Sequence, residues 1–369
     1  MSRINTTGKK SIGQITTEAG KSVLFPLLAI VISIFVAVFF VMWAKSYSIL
    51  QYFTALTELF RIIWTGCFGD PATTLNTIMF VTPLIFTGVA HSVAFRTGLF
   101  NIGVEGQFIV GMLACSLLGL IPGLSPVIHI PLILIGGVVA GSIWAAIPGY
   151  LKAKVGTNEV INTIMMNYLS MALVNFVVLR TAFGEKGKAN TPMIKGSAML
   201  MNFSGSRANV GVFIAIAVAI FIAWLLWKTT IGYEVRAVGI NPYGAEYGGV
   251  NIAKNTVLAM VISGAIAGLG GAAHVSGVMH QQFDLTTVPG FGFDGIAVAL
   301  LAKNHPIGCI ASAVLFGALN ASSKMLQLND IPKEIVYLIQ AVIIIFVATD
   351  YIVRYFAEKK KKKEAMGNA

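Results

Sequence analysis

The feature that most limits what this chain can become is its series of long apolar runs, the first at residues 23–43 and the last at 335–352. A helix needs about 20 mostly apolar residues to cross a hydrocarbon core. The runs lack the ten-residue alternation of a membrane barrel, so helices are left to satisfy the backbone inside lipid. Composition agrees: 56% of residues are hydrophobic and 11% charged, against roughly 25% charged in soluble domains. The chain is read as an all-α polytopic membrane protein.

The net charge of +11 does not point to nucleic acid, because of where the charge sits. Basic residues crowd both ends (Arg3, Lys9, Lys10 and Lys21; Arg354 and Lys359 to Lys363) beside apolar spans. That is the pattern of positive-inside anchoring against anionic lipid. Cys67, Cys115 and Cys309 are odd in number and widely separated, and nothing in them argues for a disulfide or metal framework. Some twenty polar residues precede the first run, so it reads as an uncleaved first helix with the N-terminus inside.

Spans are predicted at 77–95, from the segment 96–107 to about Leu120, and at 131–147, 159–179, 210–227, 256–277 and 335–352. Small-xxx-small faces at Gly137/Gly141 and Gly264/Gly268 suit close helix packing. Residues 44–76 form an outer loop with Glu58, Arg61 and Asp70, and its apolar parts are read as lying along the membrane surface. Residues 180–209 form the longest polar loop, external and read as solvated. Residues 295–302 are apolar but too short to span. Lys303-Asn-His-Pro306 interrupts them before an apolar stretch at 307–321, giving a half-helix and a fuller one that enter and leave from one side. Interrupted helices are tolerated where the irregular backbone is buried in protein or lines a wet cavity. About ten membrane segments result, with broken or re-entrant helices and both termini inside.

No assembled catalytic pattern is present. Gly20-Lys21-Ser22 imitates the end of a phosphate loop, but Ile15 stands where the first glycine belongs. The five histidines are scattered, and no metal site is expected. Glu105 stands among apolar residues, where an ionisable group is a functional hypothesis by default. Asn101 and Gln107 flank it with two-sided amides. These three are read either as pathway residues or as a helix-start device, in which Asn101 caps and Glu105 complements the dipole. Pro289-Gly-Phe-Gly-Phe-Asp294 opens the broken helix: Asp294 caps it, or Phe291 and Phe293 offer faces on which a flat ring could stack. Asn167 is a third candidate, a pathway amide or a tie between helices.

Residues 229–251 are a polar island with helix punctuation. Asn241 is an N-cap, Pro242 takes the first helical position, Ala245 and Glu246 continue the turn, and Gly248-Gly249 ends it. A helix of about two turns, with Arg236 just before it, is read as a docking knob or an ordinary cytoplasmic loop.

Phe95-Arg-Thr-Gly-Leu-Phe-Asn-Ile-Gly-Val-Glu-Gly-Gln107 resembles the signature of permease subunits in bacterial ABC importers for nucleosides and simple sugars. Gly156-Thr-Asn-Glu-Val-Ile161 and Gly290-Phe-Gly-Phe-Asp-Gly-Ile-Ala-Val-Ala-Leu300 resemble further landmarks of that family, and Arg236-Ala-Val-Gly-Ile-Asn-Pro242 is similar to its cytoplasmic coupling segment. The resemblance runs from about Asn76 to the last span. It implies a permease fold at 23–353, a coupling loop at 228–255, and cytoplasmic tails at 1–22 and 354–369, in the bacterial cell membrane. It also implies a second, related permease in a heterodimer, a cytoplasmic ATPase with tandem nucleotide-binding domains, and an extracellular binding lipoprotein of the basic membrane protein type. ATP and Mg would be held by the ATPase, with no cofactor in this chain. The Asn-Ile-Gly-Val-Glu-Gly wording leans toward nucleosides. By the same resemblance, Asn101, Glu105 and Gln107 lie near the pathway, and the helix after Asn241 (Pro242, Tyr243, Ala245, Glu246) takes up motion from the ATPase. The alternative is a self-sufficient secondary transporter with Glu105 binding an ion or proton.

Overall fold

The structure, a computed structural model, describes residues 31–203 and 205–346. The basic ends, the Gly20-Lys21-Ser22 lookalike, both tails and the outer parts of the first and last runs lie outside the described residues. The chain divides into two units, one of residues up to 61 and from 327, the other of residues 62–326.

In the first unit the described apolar helices are α1 (Val31–Ala44) and, as thirteenth in chain order, α13 (Glu334–Phe346). The loop expected after the first run is instead largely the helix α2 (Tyr52–Phe68). Glu58 on it meets Lys45 Nζ at 2.6 Å and accepts from the Tyr47 hydroxyl at 3.1 Å.

The second unit opens at α3 (Pro71–Arg96), started by Asp70, whose carboxylate accepts the Thr73 N–H at 2.7 Å. There follow α4 (Val104–Leu118), α5 (Pro126–Tyr150), α6 (Glu159–Arg180), α7 (Gly211–Lys228), α8 (Thr230–Ile240), α9 (Pro242–Tyr247), α10 (Ile252–His274), α11 (Phe291–Leu301) and α12 (Pro306–Leu328). Among the described residues, six helices are long and apolar enough to cross a membrane: α3, α5 with the π turn to Val155, α6, α7, α10 with the π turn to Met279, and α12. Helices α1, α4, α11 and α13 are apolar but shorter.

Burial sorts these helices into an inner and an outer set. The most apolar stretches of α3 and α10 are 72% and 67% buried, against 22% for α5 and 33% for α6 and α7. Helix α10 can sit inside because its glycines admit neighbouring backbones. Gly264 and Gly268 face Gly141 and Gly137 of α5, so the two predicted small-residue faces pack on each other, and a Cβ on any of the four would strike the other helix.

The long loop 180–209 departs from expectation. Residues 182–189 are largely exposed, as expected, but residues 190–200 fold back on the bundle. The N–H groups of Thr191, Ile194 and Leu200 donate to the carbonyls of Gln282, His280 and Ser276, and Ile194 and Ala198 join the core around Phe108, Met112 and Ala272. Buried backbone needs such partners, and the segment after α10 supplies them.

Candidate functional site

The expected short helix and the break after it are both present. Helix α11 ends at Leu301, and Lys303 and Asn304 take positive φ (51° and 56°) before α12 starts at Pro306. At roughly 1.5 Å per residue, its 11 residues span only about 16 Å, so both ends must find partners within reach of the bundle.

The N-terminal partner is Glu105. Its carboxylate accepts the N–H of Gly290 at 2.7 Å on one oxygen and the N–H of Gly292 on the other. Glu105 is wholly buried. A carboxylate on the unpaired amides at a helix start matches the positive end of the dipole. Here it comes from a neighbouring helix. The Gly292 peptide is also held from its other side: His91 Nε2 donates to the Gly292 carbonyl at 2.9 Å, which places the imidazole proton on that nitrogen. Gly292 has no room for a side chain, since a Cβ there would lie 2.5 Å from the Glu105 N and Cα.

The C-terminal partner is Arg96, whose Nε donates to the Asn304 carbonyl at 2.9 Å and whose Nη2 donates to that of Lys303 at 3.1 Å. A cation thus meets the negative end of α11 just as an anion meets its start. Both charges belong to the 95–107 signature, which grips one short helix at its two ends.

Around Glu105 the amides close a network. Asn101 Nδ2 donates to Gln107 Oε1 (3.1 Å) and Ser263 Oγ (3.0 Å), and Asn101 Oδ1 accepts from Gln107 Nε2 (3.2 Å) and the Gly103 N–H (3.1 Å). Asn167, from α6, accepts the Gly106 N–H at 2.8 Å and donates to the Ile102 carbonyl at 3.0 Å. It therefore caps α4, whose own N-cap is Gly103 and offers no side chain. The tie between helices is real, and it is also a cap. Asn101, Glu105, Gln107 and Asn167 are at most 2% exposed.

The remaining candidates divide. Phe291 packs between Phe108 and His274 (centroids 5.7 and 5.0 Å), beside the network, whereas Phe293 is 41% exposed. Asp294 does not cap α11. Gly290 holds that position at φ 92°, and Asp294, inside the first turn, accepts from Asn320 Nδ2 at 2.9 Å. Sequence reasoning missed Arg96 and His91. Their one signal was polarity at the end of, or inside, an apolar span.

The polar island is built as its punctuation requires, with one addition. Asn241 Oδ1 accepts the Gly244 N–H at 3.1 Å, Pro242 opens α9, and Gly248 and Gly249 (φ 84°) close it. Arg236, however, lies on the separate helix α8, capped by Thr229, whose hydroxyl accepts the Gly232 N–H at 3.1 Å. Ile240, Tyr243 and Tyr247 are 85%, 82% and 98% exposed, while Ala245 is buried. Between α8 and α9 lies a hollow of about 310 Å³ lined by Tyr233, Arg236, Ile240 and Ala245.

Six apolar helices of spanning length among the described residues, packed around a sealed polar network, mark a multi-pass membrane protein. The family model described as "Branched-chain amino acid transport system / permease component" matches residues 73–348, and the chain belongs to that family. It is 38% identical to the guanosine ABC transporter permease protein NupP of Bacillus subtilis over 93% of this chain and 97% of that one. To the nucleoside ABC transporter permease protein NupB of Lactococcus lactis it is 33% identical, over 94% and 96%. A second B. subtilis guanosine permease, NupQ, matches at 28% over 77% of this chain and 92% of its own.

Proposed function

We propose that this chain is one permease subunit of an ATP-driven nucleoside importer. The observation that carries the reading is end-to-end similarity to two permeases named for guanosine and nucleosides. Family membership disfavours the ion-coupled alternative. Both bacteria also have a second matching permease of each name, NupQ beside NupP and NupC beside NupB. That supports a heterodimer here.

In this reading the shorter helices α1, α4, α11 and α13 count with the six longer ones, giving about ten membrane segments with α11 re-entrant and both termini cytoplasmic. Helix α9, with Asn241, Pro242, Tyr243, Ala245 and Glu246, docks on an ATPase subunit that binds ATP and Mg. Arg236 supports it from α8. An extracellular binding lipoprotein delivers the nucleoside at the opposite end. Asn101, Glu105, Gln107, Asn167, Phe291, Phe293 and Asp294 border the passage, which is closed at Glu105 and opens when α11 parts from α4. The exposed tyrosines of α9 and the sealed amides of the network support these two assignments.

The experiment is uptake of radiolabelled guanosine, uridine and ribose by cells with and without the gene, with ATP depleted and membrane potential held. Loss of ATP-dependent nucleoside uptake with ribose unaffected is expected. Uptake that survives ATP depletion and follows an ion gradient would overturn the proposal.

A further inference from the structure

The end of the bundle that carries α8 holds a cluster whose charges the transport reading leaves unbalanced. The Arg96 guanidinium stands 5.2 Å, and that of Arg236 5.8 Å, from the centre of the Trp227 ring. The His305 imidazole packs on the same indole at 4.7 Å. Three cationic or protonatable groups thus share one ring. Arg96 bonds only backbone carbonyls, Arg236 bonds the Gly232 carbonyl of its own helix at 3.3 Å, and no carboxylate pairs with either among the described residues. Glu234, the acid on α8, is engaged by Asn255 Nδ2 at 2.9 Å. Like charges brought this close, half-buried and without an internal counter-charge, leave the balancing anion to come from outside.

The neighbouring surface says what kind of anion. Trp227 and Lys228 end the apolar helix α7, and Arg96 ends α3, so the cluster sits where spans meet headgroups. Phe221, Trp224 and Trp227 stand three residues apart in a slanting row on α7. The first two are 53% exposed, with ring centres 5.7 Å apart. A free phosphate has no use for an aromatic track, whereas an acyl chain does. We infer that Arg96, Arg236 and His305 around Trp227 form a site for the headgroup of an anionic phospholipid, whose chain lies along Phe221 and Trp224. Basic pockets between membrane helices recognise such headgroups by charge and by forked hydrogen bonding from arginine.

The test uses the permease assembled with its partners, extracted from vesicles of equal phosphatidylglycerol and phosphatidylcholine and washed in detergent. Lipid retained per complex is then measured by mass spectrometry. Phosphatidylglycerol is expected to be enriched. Arg236→Gln should lower that enrichment about fivefold, the effect of removing one surface cation, and Arg236→Lys should retain most of it. Because Arg236 bonds only its own helix, Arg236→Gln carries the test even if Arg96→Gln fails to fold. Equal retention of the two lipids would overturn the proposal, as would enrichment unchanged in Arg236→Gln. Displacement of the lipid by inorganic phosphate alone would do the same. So would loss of the ATPase subunit from Arg236→Gln with lipid retention intact, which would assign the cluster to a protein partner.

Discussion

The clamp on α11 and the tip at α9 both rest on capped helix starts, yet they are built in opposite ways. At α9 the cap is local: Asn241 serves an amide three residues ahead, and the helix shows its tyrosines to solvent. At α11 the cap arrives from a residue 185 positions away, and every polar atom of Glu105 is sealed from water. A local cap in water can be lost at small cost, since solvent replaces it. A buried, long-range one cannot be replaced, because the abandoned amides have nothing else to bind. The difference separates an exposed element, which the proposed reading has a partner touch, from an element held inside the bundle.

The largest effects should follow from attacking the clamp. Glu105→Ala leaves two buried N–H groups unpartnered, a penalty of about 1–3 kcal/mol each. The yield of assembled complex is expected to fall sharply in detergent extracts. Wild-type yield would show that α11 does not need the carboxylate. Gly292→Ala drives a methyl into the α4 backbone, and overpacking of this kind costs about 1–3 kcal/mol. A melting curve should show it. Glu105→Gln keeps one acceptor, so the complex should assemble while nucleoside uptake weakens. Uptake unchanged at normal expression would remove Glu105 from the passage.

Effects at the tip should be smaller in stability and distinct in kind. Asn241→Ala costs about 1 kcal/mol at the start of α9, little of which should reach the melting of the bundle. Combined with Pro242→Gly it should abolish stimulation of ATP hydrolysis by loaded receptor. Stimulation that persists would reduce α9 to a loop. Tyr247→Ala, on an almost fully exposed ring, should change stability by no more than about 0.5 kcal/mol, and its effect should appear in ATPase binding alone.

Legibility in the sequence followed the same division. The tip could be read because its signals are local: Asn241, Pro242 and the paired glycines are each next to what they do. Helix α8 escaped that reading, although Thr229 was a usable cap, because Gly232 and Gly239 interrupt it. Gly239 is needed there, as a Cβ at that position would strike the Arg96 carbonyl. The apolar runs and the small-residue faces of α5 and α10 were also readable, since apolar length and glycine spacing are periodic features, but that the two faces pack on each other was not. In the clamp, polarity in an apolar run marked Glu105, Asn101, Gln107 and Asn167 as unusual but could not name their partners. Asp294 looked like a cap because it is acidic and stands at a helix start. The structure gives that work to Glu105, which only the fold brings within 2.7 Å of Gly290. The loop 180–209 was misjudged in its second half for a related reason: its polar composition hid Ile194 and Ala198, which fill the core.

The most direct test of the account measures nucleoside uptake and ATP hydrolysis together, in vesicles holding the complete complex. It compares Glu105→Gln with the Asn241 and Pro242 double substitution. The account predicts that Glu105→Gln keeps receptor-stimulated hydrolysis while uptake falls, and that the double substitution loses the stimulation itself. If both variants lose uptake and hydrolysis in the same proportion, the clamp and the tip are not separate devices, and the division of labour argued for them fails.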